Sequence, residues 1–187
     1  IALALGALGL GIEGLQSLTP DRSASLLDEI ANLSGISIML ALLRWTLFQV
    51  LIGNTDAHAK NLSFYLGREG LSLAPAYDLV CGLAFAGEQL LDTYAMAIGD
   101  AFHAQALSPY EWANFAHACA LPFRQLSTEL ALMAQRVRDG LPKASEDALA
   151  AGVSPKLIER LRTLVAAECE RQADMAPAVA KVAPSLF

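Results

Sequence analysis

Residues 51–80, LIGNTDAHAKNLSFYLGREGLSLAPAYDLV, gather polar side chains in a chain that is otherwise 55% apolar and only 17% charged. Asp56 is separated by four residues from Asn61, and Asp78 follows two short apolar runs. A carboxylate on a rigid loop can orient a hydroxyl nucleophile and accept its proton. Amide and carboxylate oxygens are ligands that Mg²⁺ prefers. The pattern therefore predicts phosphoryl transfer, with Asp56 as the base and with Asn61 and Asp78 as magnesium ligands.

The order of these residues is typical of protein kinases. There a catalytic Asp is followed by four residues and a metal-binding Asn, and a second metal-binding Asp comes later in the chain. Lys60 would add positive charge beside the transferring phosphoryl group. Asp, Asn and His are also common in turns and caps, so one such residue alone would indicate only a loop. Three at this spacing favour chemistry.

Two other metal sites fit the same segment less well. A calcium loop that begins at Asn54 would place Ala59 where glycine is required and Tyr65 where a bidentate Glu is required. A transition-metal site built on Asp56 and His58 has few further ligands to use, because the chain has only three histidines.

The segments around the polar loop predict a buried helix followed by a β-hairpin. Residues 37–52 are apolar almost all round, which predicts a helix at the centre of the domain, and Gly53 suits its end. LSFYL and LSLAP flank the turn GREG, so a hairpin is expected between residues 62 and 74. Its two ends would bring Asn61 and Asp78 side by side.

The rest of the chain is predicted to be mainly helical. One helix is expected over 19–33, starting at Pro20, and residues 83–107 are expected to be irregular with one helix at most. Three later helices are predicted. The first starts at Ser108 with a capping box that includes Glu111. The second runs from 122 to 139 and stops at Gly140, and the third starts at Ser154.

Composition narrows the class of protein further. A net charge of −6 argues against a nucleic-acid surface on this segment, and no apolar run reaches the length of a membrane span. Three widely spaced cysteines (Cys81, Cys119 and Cys169) fit free thiols in a reducing compartment, so a cytoplasmic protein without membrane contact is expected. The start at Ile1 in an apolar segment predicts a piece of a longer chain.

The 51–80 segment resembles the HipA family of bacterial serine/threonine kinases, which are toxins of toxin–antitoxin modules. Members share the form T-D-x-H-x-K-N, then a hairpin, then P-x-Y-D. The matching residues are Thr55, Asp56, His58, Lys60, Asn61, Pro75, Tyr77 and Asp78. YAMAIGD (94–100) and the helices that end near residue 175 resemble the C-terminal part of the family more loosely. A dense match of this kind is far more specific than a single short motif.

The resemblance implies a protein-kinase-like C-lobe over residues 1–187, a single mainly α domain in which one inserted β-hairpin carries the catalytic and metal loops. It implies catalytic roles for Asp56, His58 and Lys60, cofactor binding by Asn61, Tyr77 and Asp78, and Mg²⁺ held by Asn61 and Asp78. The implied cofactors are ATP and Mg²⁺. The implied partners are a protein substrate, such as an aminoacyl-tRNA synthetase, and a HipB-like antitoxin.

The chain departs from a complete kinase in the segment that precedes Asp56. It has no Lys there, whereas kinases grip the nucleotide phosphates with a strand Lys and a glycine-rich loop. GLGIEG (9–14) satisfies G-x-G-x-x-G, but no βαβ unit is predicted after it. We therefore expect the lobe that clamps the nucleotide to be absent and this piece alone to have little activity. A non-catalytic binding module is the alternative, and a metal-dependent hydrolase ranks third.

Overall fold

The computed structural model describes residues 26–68, 70–85 and 93–187. The chain divides into two compact units, Ile1–Thr46 and Leu47–Phe187. The described part of the first unit is helical, and the second unit carries the polar loop, two hairpins and three further helices. The predicted mainly α class is thus confirmed. GLGIEG and the predicted helix start at Pro20 lie outside the described residues.

The first described helix, α1 (Leu26–Leu51), leads directly into the polar loop. It is continuous where the sequence predicted two helices, because glycine and serine in a helix interior cost only about 1 kcal/mol or less each. Gly53 ends the helix as predicted, and its φ is positive. The prediction of all-round burial was wrong in part. Leu47 and Leu51 are fully buried, whereas Ile38 is 45% exposed.

The predicted hairpin is present. Strands β1 (Phe64–Gly67) and β2 (Gly70–Leu73) pair antiparallel, with Phe64 opposite Leu73. The pairing continues beyond the strands, since the N–H of Ala74 donates to the carbonyl of Ser63 at 2.8 Å. The chain therefore returns to the loop from which it left.

A second hairpin occupies part of the segment that was predicted to be irregular. Strands β3 (Thr93–Ile98) and β4 (Ala101–His103) pair antiparallel around Gly99, which has φ +62°. The three alanines in these strands hide the signal, since alanine favours helix and is depleted in strands. The prediction of a single hairpin was therefore wrong.

Three helices complete the described fold: α2 (Pro109–Ala118), α3 (Phe123–Ala150) and α4 (Pro155–Val179). The Ser108 hydroxyl caps α2 by accepting from the N–H of Glu111, as predicted. The Glu111 carboxylate does not complete the capping box, because it accepts instead from the N–H of Asp100 in the turn of the second hairpin.

The predicted end of the long α3 at Gly140 was wrong. The helix continues through Gly140 and Pro142 to Ala150. These residues cost an exposed helix interior about 1 and about 3 kcal/mol respectively, so the apolar face that the helix buries before Gly140 must outweigh them. That face packs on α4 and on the end of α1 through a buried cluster. Its fully or nearly fully buried members are Leu51, Ala134, Val165 and Cys169.

None of the helices within the described ranges combines the length and apolar character that crossing a bilayer requires.

Candidate functional site

Asn54 organises the polar loop at its first residue. Its side chain is 3% exposed. The Nδ2 group donates to Gln49 Oε1 at 2.8 Å and to the main-chain carbonyl of Asp78 at 3.0 Å. Its Oδ1 accepts from the N–H of Asp56 at 3.0 Å, which is a short Asx turn. One buried amide thus fixes the main chain at both Asp56 and Asp78.

Asn61 and Asp78 meet at the two ends of the first hairpin. The Nδ2 group of Asn61 donates to Asp78 Oδ2 at 2.8 Å, and its Oδ1 accepts from the N–H of His58 at 2.8 Å. Asn61 is 5% exposed, while Asp78 lies at the surface. An amide and a carboxylate predicted from the sequence to be neighbours are therefore in direct contact, with the carboxylate open to a ligand.

The backbone of Asp78 is left-handed, with φ +58°. Asp and Asn are the non-glycine residues that tolerate this region best, because their short polar side chains can form local hydrogen bonds. This conformation lets one residue contribute its main-chain carbonyl to Asn54 and its carboxylate to Asn61. Asp56 is exposed on the polar loop, where its main-chain N–H donates to Asn54 Oδ1.

The Tyr77 hydroxyl joins the return strand to the loop. It donates to the main-chain carbonyl of Lys60 at 2.7 Å and lies 2.9 Å from the Ser63 hydroxyl. Since the single hydroxyl proton of Tyr77 is committed to Lys60, the Ser63 hydroxyl is the donor of the second bond. The contact holds the short 3-10 helix Ala59–Asn61, and the Lys60 side chain extends into solvent from it.

His58 occupies the middle of the loop. It is partly buried, and its Nδ1 atom has no hydrogen-bond partner among the described residues. A buried ring nitrogen without a hydrogen bond is costly. Within the described part of the loop, this is the buried side-chain atom that lacks a hydrogen-bond partner.

The second hairpin and the segment after Asp78 both form hydrogen bonds with the main chain at the start of the loop. The N–H of Ala95 in β3 donates to the carbonyl of Thr55 at 2.8 Å, and the N–H of Leu83 donates to the carbonyl of Gly53 at 3.2 Å. Gly82 lies against the Thr55 side chain so closely that a Cβ at that position would overlap the hydroxyl oxygen. Thr55 is consequently buried and held from two sides.

Cys81 follows Asp78 closely but is not a candidate nucleophile. Burial raises the pKa of its thiol above the ordinary value, and this outweighs the opposing effects of a hydrogen bond with the Ala84 backbone and of the Arg160 charge. The thiol is therefore protonated at neutral pH, whereas nucleophilic cysteines are thiolates. The candidate groups for chemistry at this site are therefore the carboxylates, the amides and Lys60.

The residues present fit a magnesium ion better than a metal held entirely by protein. No group of three or more His, Cys, Asp or Glu that could hold a metal exists within residues 26–68, 70–85 and 93–187. Magnesium commonly uses one or two protein oxygens and completes its shell with water and substrate phosphates. Asn61 Oδ1 has two lone pairs, so it can accept from His58 and still offer an oxygen to a cation.

The comparisons with known proteins identify the family of the chain. The family model for the HipA-like C-terminal domain matches residues 8–143. This chain belongs to that family. The resemblance noted from the 51–80 segment is therefore confirmed, and it extends over most of the chain.

Two matches from Shewanella oneidensis illustrate the family. The serine/threonine-protein kinase toxin HipA is 33% identical over 137 residues, which cover 70% of this chain and 30% of that protein. A chain from the solved complex of the toxin–antitoxin proteins HipA and HipB with their operator DNA matches with a TM-score of 0.65 and 30% identity. That match covers 75% of this chain and 33% of the solved one. The HipA-like chain described here thus spans about a third of the length of each.

Sequence reasoning missed Asn54, which it considered only as a calcium ligand. The usable signal was its position directly after the helix stop at Gly53 and two residues before Asp56, where an Asn commonly forms a turn with its own backbone. Its bond to Asp78 joins residues 24 apart, and no local pattern indicates it.

Proposed function

We propose that this chain is the C-lobe of a HipA-like serine/threonine protein kinase that transfers the γ-phosphoryl group of ATP to a protein hydroxyl. The observation that carries the proposal is the contact between the Asn61 amide and the Asp78 carboxylate, with Asp56 tied to the same pair through Asn54. Phosphoryl transfer depends almost entirely on positioning and electrostatic stabilisation, and we propose that this arrangement provides both.

Asp56 is proposed as the base. It lies exposed on a loop whose main chain is fixed by a buried amide, so its carboxylate can accept the proton of a substrate hydroxyl while it orients that hydroxyl. Its reach into solvent suits a substrate as large as a protein, since the acceptor side chain can approach from outside.

Asn61 and Asp78 are proposed to hold Mg²⁺, which, when bound with ATP, neutralises phosphate charge. The exposed side chain of Lys60, the neighbour of Asn61 in the chain, adds a positive charge beside this site. Tyr77 contributes to the cofactor site by fixing the main chain of Lys60. His58 supports the catalytic loop by donating its main-chain N–H to the Asn61 amide oxygen, which fixes the orientation of that amide.

The proposed partners follow from the relatives. The solved neighbour is HipA with HipB and operator DNA, and we extend an antitoxin partner of the HipB type to the protein that contains this chain. We propose that the substrate is a protein, with an aminoacyl-tRNA synthetase as the first candidate to test. We propose the cytoplasm as the location of the reaction. The net charge of −6 makes this segment a poor surface for nucleic acid, so we assign no DNA contact to it.

The test is phosphoryl transfer from labelled ATP by the full-length protein and its Asp56→Asn variant. We expect the variant to lose about a hundredfold or more in turnover, because a positioned base contributes about that much. Asp100→Asn is the matched control. Asp100 is exposed, as Asp56 is, but it lies in the turn of the second hairpin, where its carboxylate accepts a hydrogen bond from the Asn114 amide. Its turnover should equal that of the wild type.

Two outcomes would contradict the proposal. Equal turnover by Asp56→Asn and wild type would remove the base, and no Mg²⁺-dependent transfer by the full-length wild type would favour a non-catalytic binding module. Residues 1–187 alone are expected to transfer phosphate poorly, since they contain no Lys before Asp56 that could grip the nucleotide.

A further inference from the structure

Asn54 is the most fully engaged polar side chain of the loop. It is 3% exposed. Its acceptor and both of its amide protons have partners among the described residues. Gln49, which accepts one of these protons from the last turns of α1, is itself 2% exposed. Buried hydrogen bonds of this kind are costly to break, because each lost partner leaves a buried polar atom that neither the protein nor water satisfies.

The three partners of Asn54 belong to different parts of the site. Gln49 belongs to α1, Asp56 is the proposed base, and Asp78 is the proposed magnesium ligand. Asp56 and Asp78 lie on opposite sides of the first hairpin in the chain, so no local backbone geometry fixes the distance between them. Asn54 bonds to the main chain of both and anchors both to one helix.

We propose that Asn54 is a positioning residue that sets the spacing between the base and the metal ligand. This inference rests on the proposed function. The donors on Nδ2 locate Asp78, and the acceptor on Oδ1 locates Asp56, so the two halves of the same side chain control two separable properties of the enzyme. Loss of the first half weakens metal binding, and loss of the second half slows the chemical step.

Serine and alanine at position 54 separate the two halves. A serine hydroxyl can still accept from the N–H two residues later, in a weaker turn of the same type, but it is too short to replace the amide donor to Asp78. Alanine removes both functions. Asn54→Ser and Asn54→Ala therefore differ by one hydroxyl, which isolates the contact with Asp56.

The experiment uses the full-length protein. The Mg²⁺ concentration for half-maximal turnover, turnover at saturating Mg²⁺, and Mg²⁺-dependent binding of the ATP analogue AMP-PNP by calorimetry are measured for the wild type and both variants. Thermal unfolding is recorded in parallel. Asn114→Ala is the matched control, since it removes a partly buried amide that donates a hydrogen bond to the exposed Asp100, outside the site.

Both variants are expected to need about ten- to a hundredfold more Mg²⁺, which is the usual effect of removing a residue that orients a metal ligand. AMP-PNP binding should weaken by a similar factor in the presence of Mg²⁺ and stay unchanged in its absence. At saturating Mg²⁺, Asn54→Ala should turn over about fivefold more slowly than Asn54→Ser, as expected for one lost hydrogen bond. Asn114→Ala should behave as the wild type.

The inference is overturned if an Asn54 variant keeps the wild-type Mg²⁺ dependence, whatever its thermal stability. It is also overturned if the serine and alanine variants have the same turnover at saturating Mg²⁺. If alanine prevents folding, the serine variant alone decides the metal half of the inference. An inactive wild type would reject the proposed kinase function, which these comparisons between variants do not address.

Discussion

Asp78→Asn is the substitution that best separates metal binding from folding at this site. The backbone of Asp78 is left-handed, and asparagine tolerates this conformation as well as aspartate does. The new side chain keeps the size and keeps an oxygen that can accept from the Asn61 amide, which is 2.8 Å from the carboxylate. What it loses is the negative charge. We therefore expect a folded protein that has lost its magnesium site.

The cost to folding follows from the bonds involved. A hydrogen bond to a charged group contributes about 1.5–3 kcal/mol and a neutral one about 0.5–1.5 kcal/mol, so the exchange costs about 1 kcal/mol. Exposure of Asp78 to solvent reduces that figure further. For a domain of this size, about 1 kcal/mol lowers the melting temperature by about 2–4 °C. Asp78→Ala should be worse by about another 1 kcal/mol, because alanine lacks the acceptor and resists the left-handed backbone.

The cost to activity should be much larger. Loss of electrostatic stabilisation at a transferring phosphoryl group typically lowers turnover by about a hundredfold or more. The assays are thermal unfolding and Mg²⁺-dependent phosphoryl transfer by the full-length protein. Ala120→Asn is the matched control, because Ala120 is the other described non-glycine residue with positive φ and should gain slightly in stability while its activity stays unchanged.

Wild-type Mg²⁺ dependence in Asp78→Asn would refute the assignment of Asp78 as a metal ligand. Global unfolding of Asp78→Asn would refute a different step, the claim that asparagine fits the left-handed backbone at this position.

Four further predictions concern two glycines, one hydrogen bond of the site and one buried thiol. Gly82→Ala should destabilise the protein by about 1–3 kcal/mol and lower turnover, since its Cβ would overlap the hydroxyl of the buried Thr55. Gly140→Ala, in open space on a helix, should stabilise the protein by about 0.4–1 kcal/mol. Thermal unfolding measures both changes. Tyr77→Phe should lower turnover severalfold by releasing the Lys60 carbonyl, with less than about a twofold change if the hydroxyl is dispensable. Burial, aided by the Glu168 charge, raises the pKa of Cys169 to about 11. Native labelling of Cys169 should therefore be negligible at pH 8, and the stability that its protonated thiol contributes should be lost as the pH rises from about 9 to about 11; rapid labelling at pH 8 would contradict the burial.

The site was predictable where the signal is local. The spacing of Asp56 and Asn61, the glycines of the first hairpin and the helix stop at Gly53 are all properties of adjacent residues, and each prediction about the backbone was confirmed. The contact between Asn61 and Asp78 followed from the hairpin, because antiparallel strands return the chain to its starting point.

The fold was not predictable where distant contacts outweigh local preference. Gly140 looks like a helix stop, but α3 runs through it, and Leu141, directly after it, packs against the buried cluster that the helix shares with α4. The second hairpin is rich in alanine, and its pairing is supported by the bond from Ala95 to Thr55, far away in sequence. Asn54 was overlooked for the same reason, since its key partner is Asp78.

The central claim is that Asn61 and Asp78 hold one Mg²⁺ with Asp56 beside it. The most direct test is a crystal structure of the full-length protein with Mg²⁺ and AMP-PNP. The account predicts a single ion at about 2.0–2.1 Å from the side-chain oxygens of Asn61 and Asp78, with the γ-phosphate of the analogue between that ion and Asp56. An ion and analogue bound elsewhere, with Asn61 and Asp78 still bonded only to each other, would contradict it.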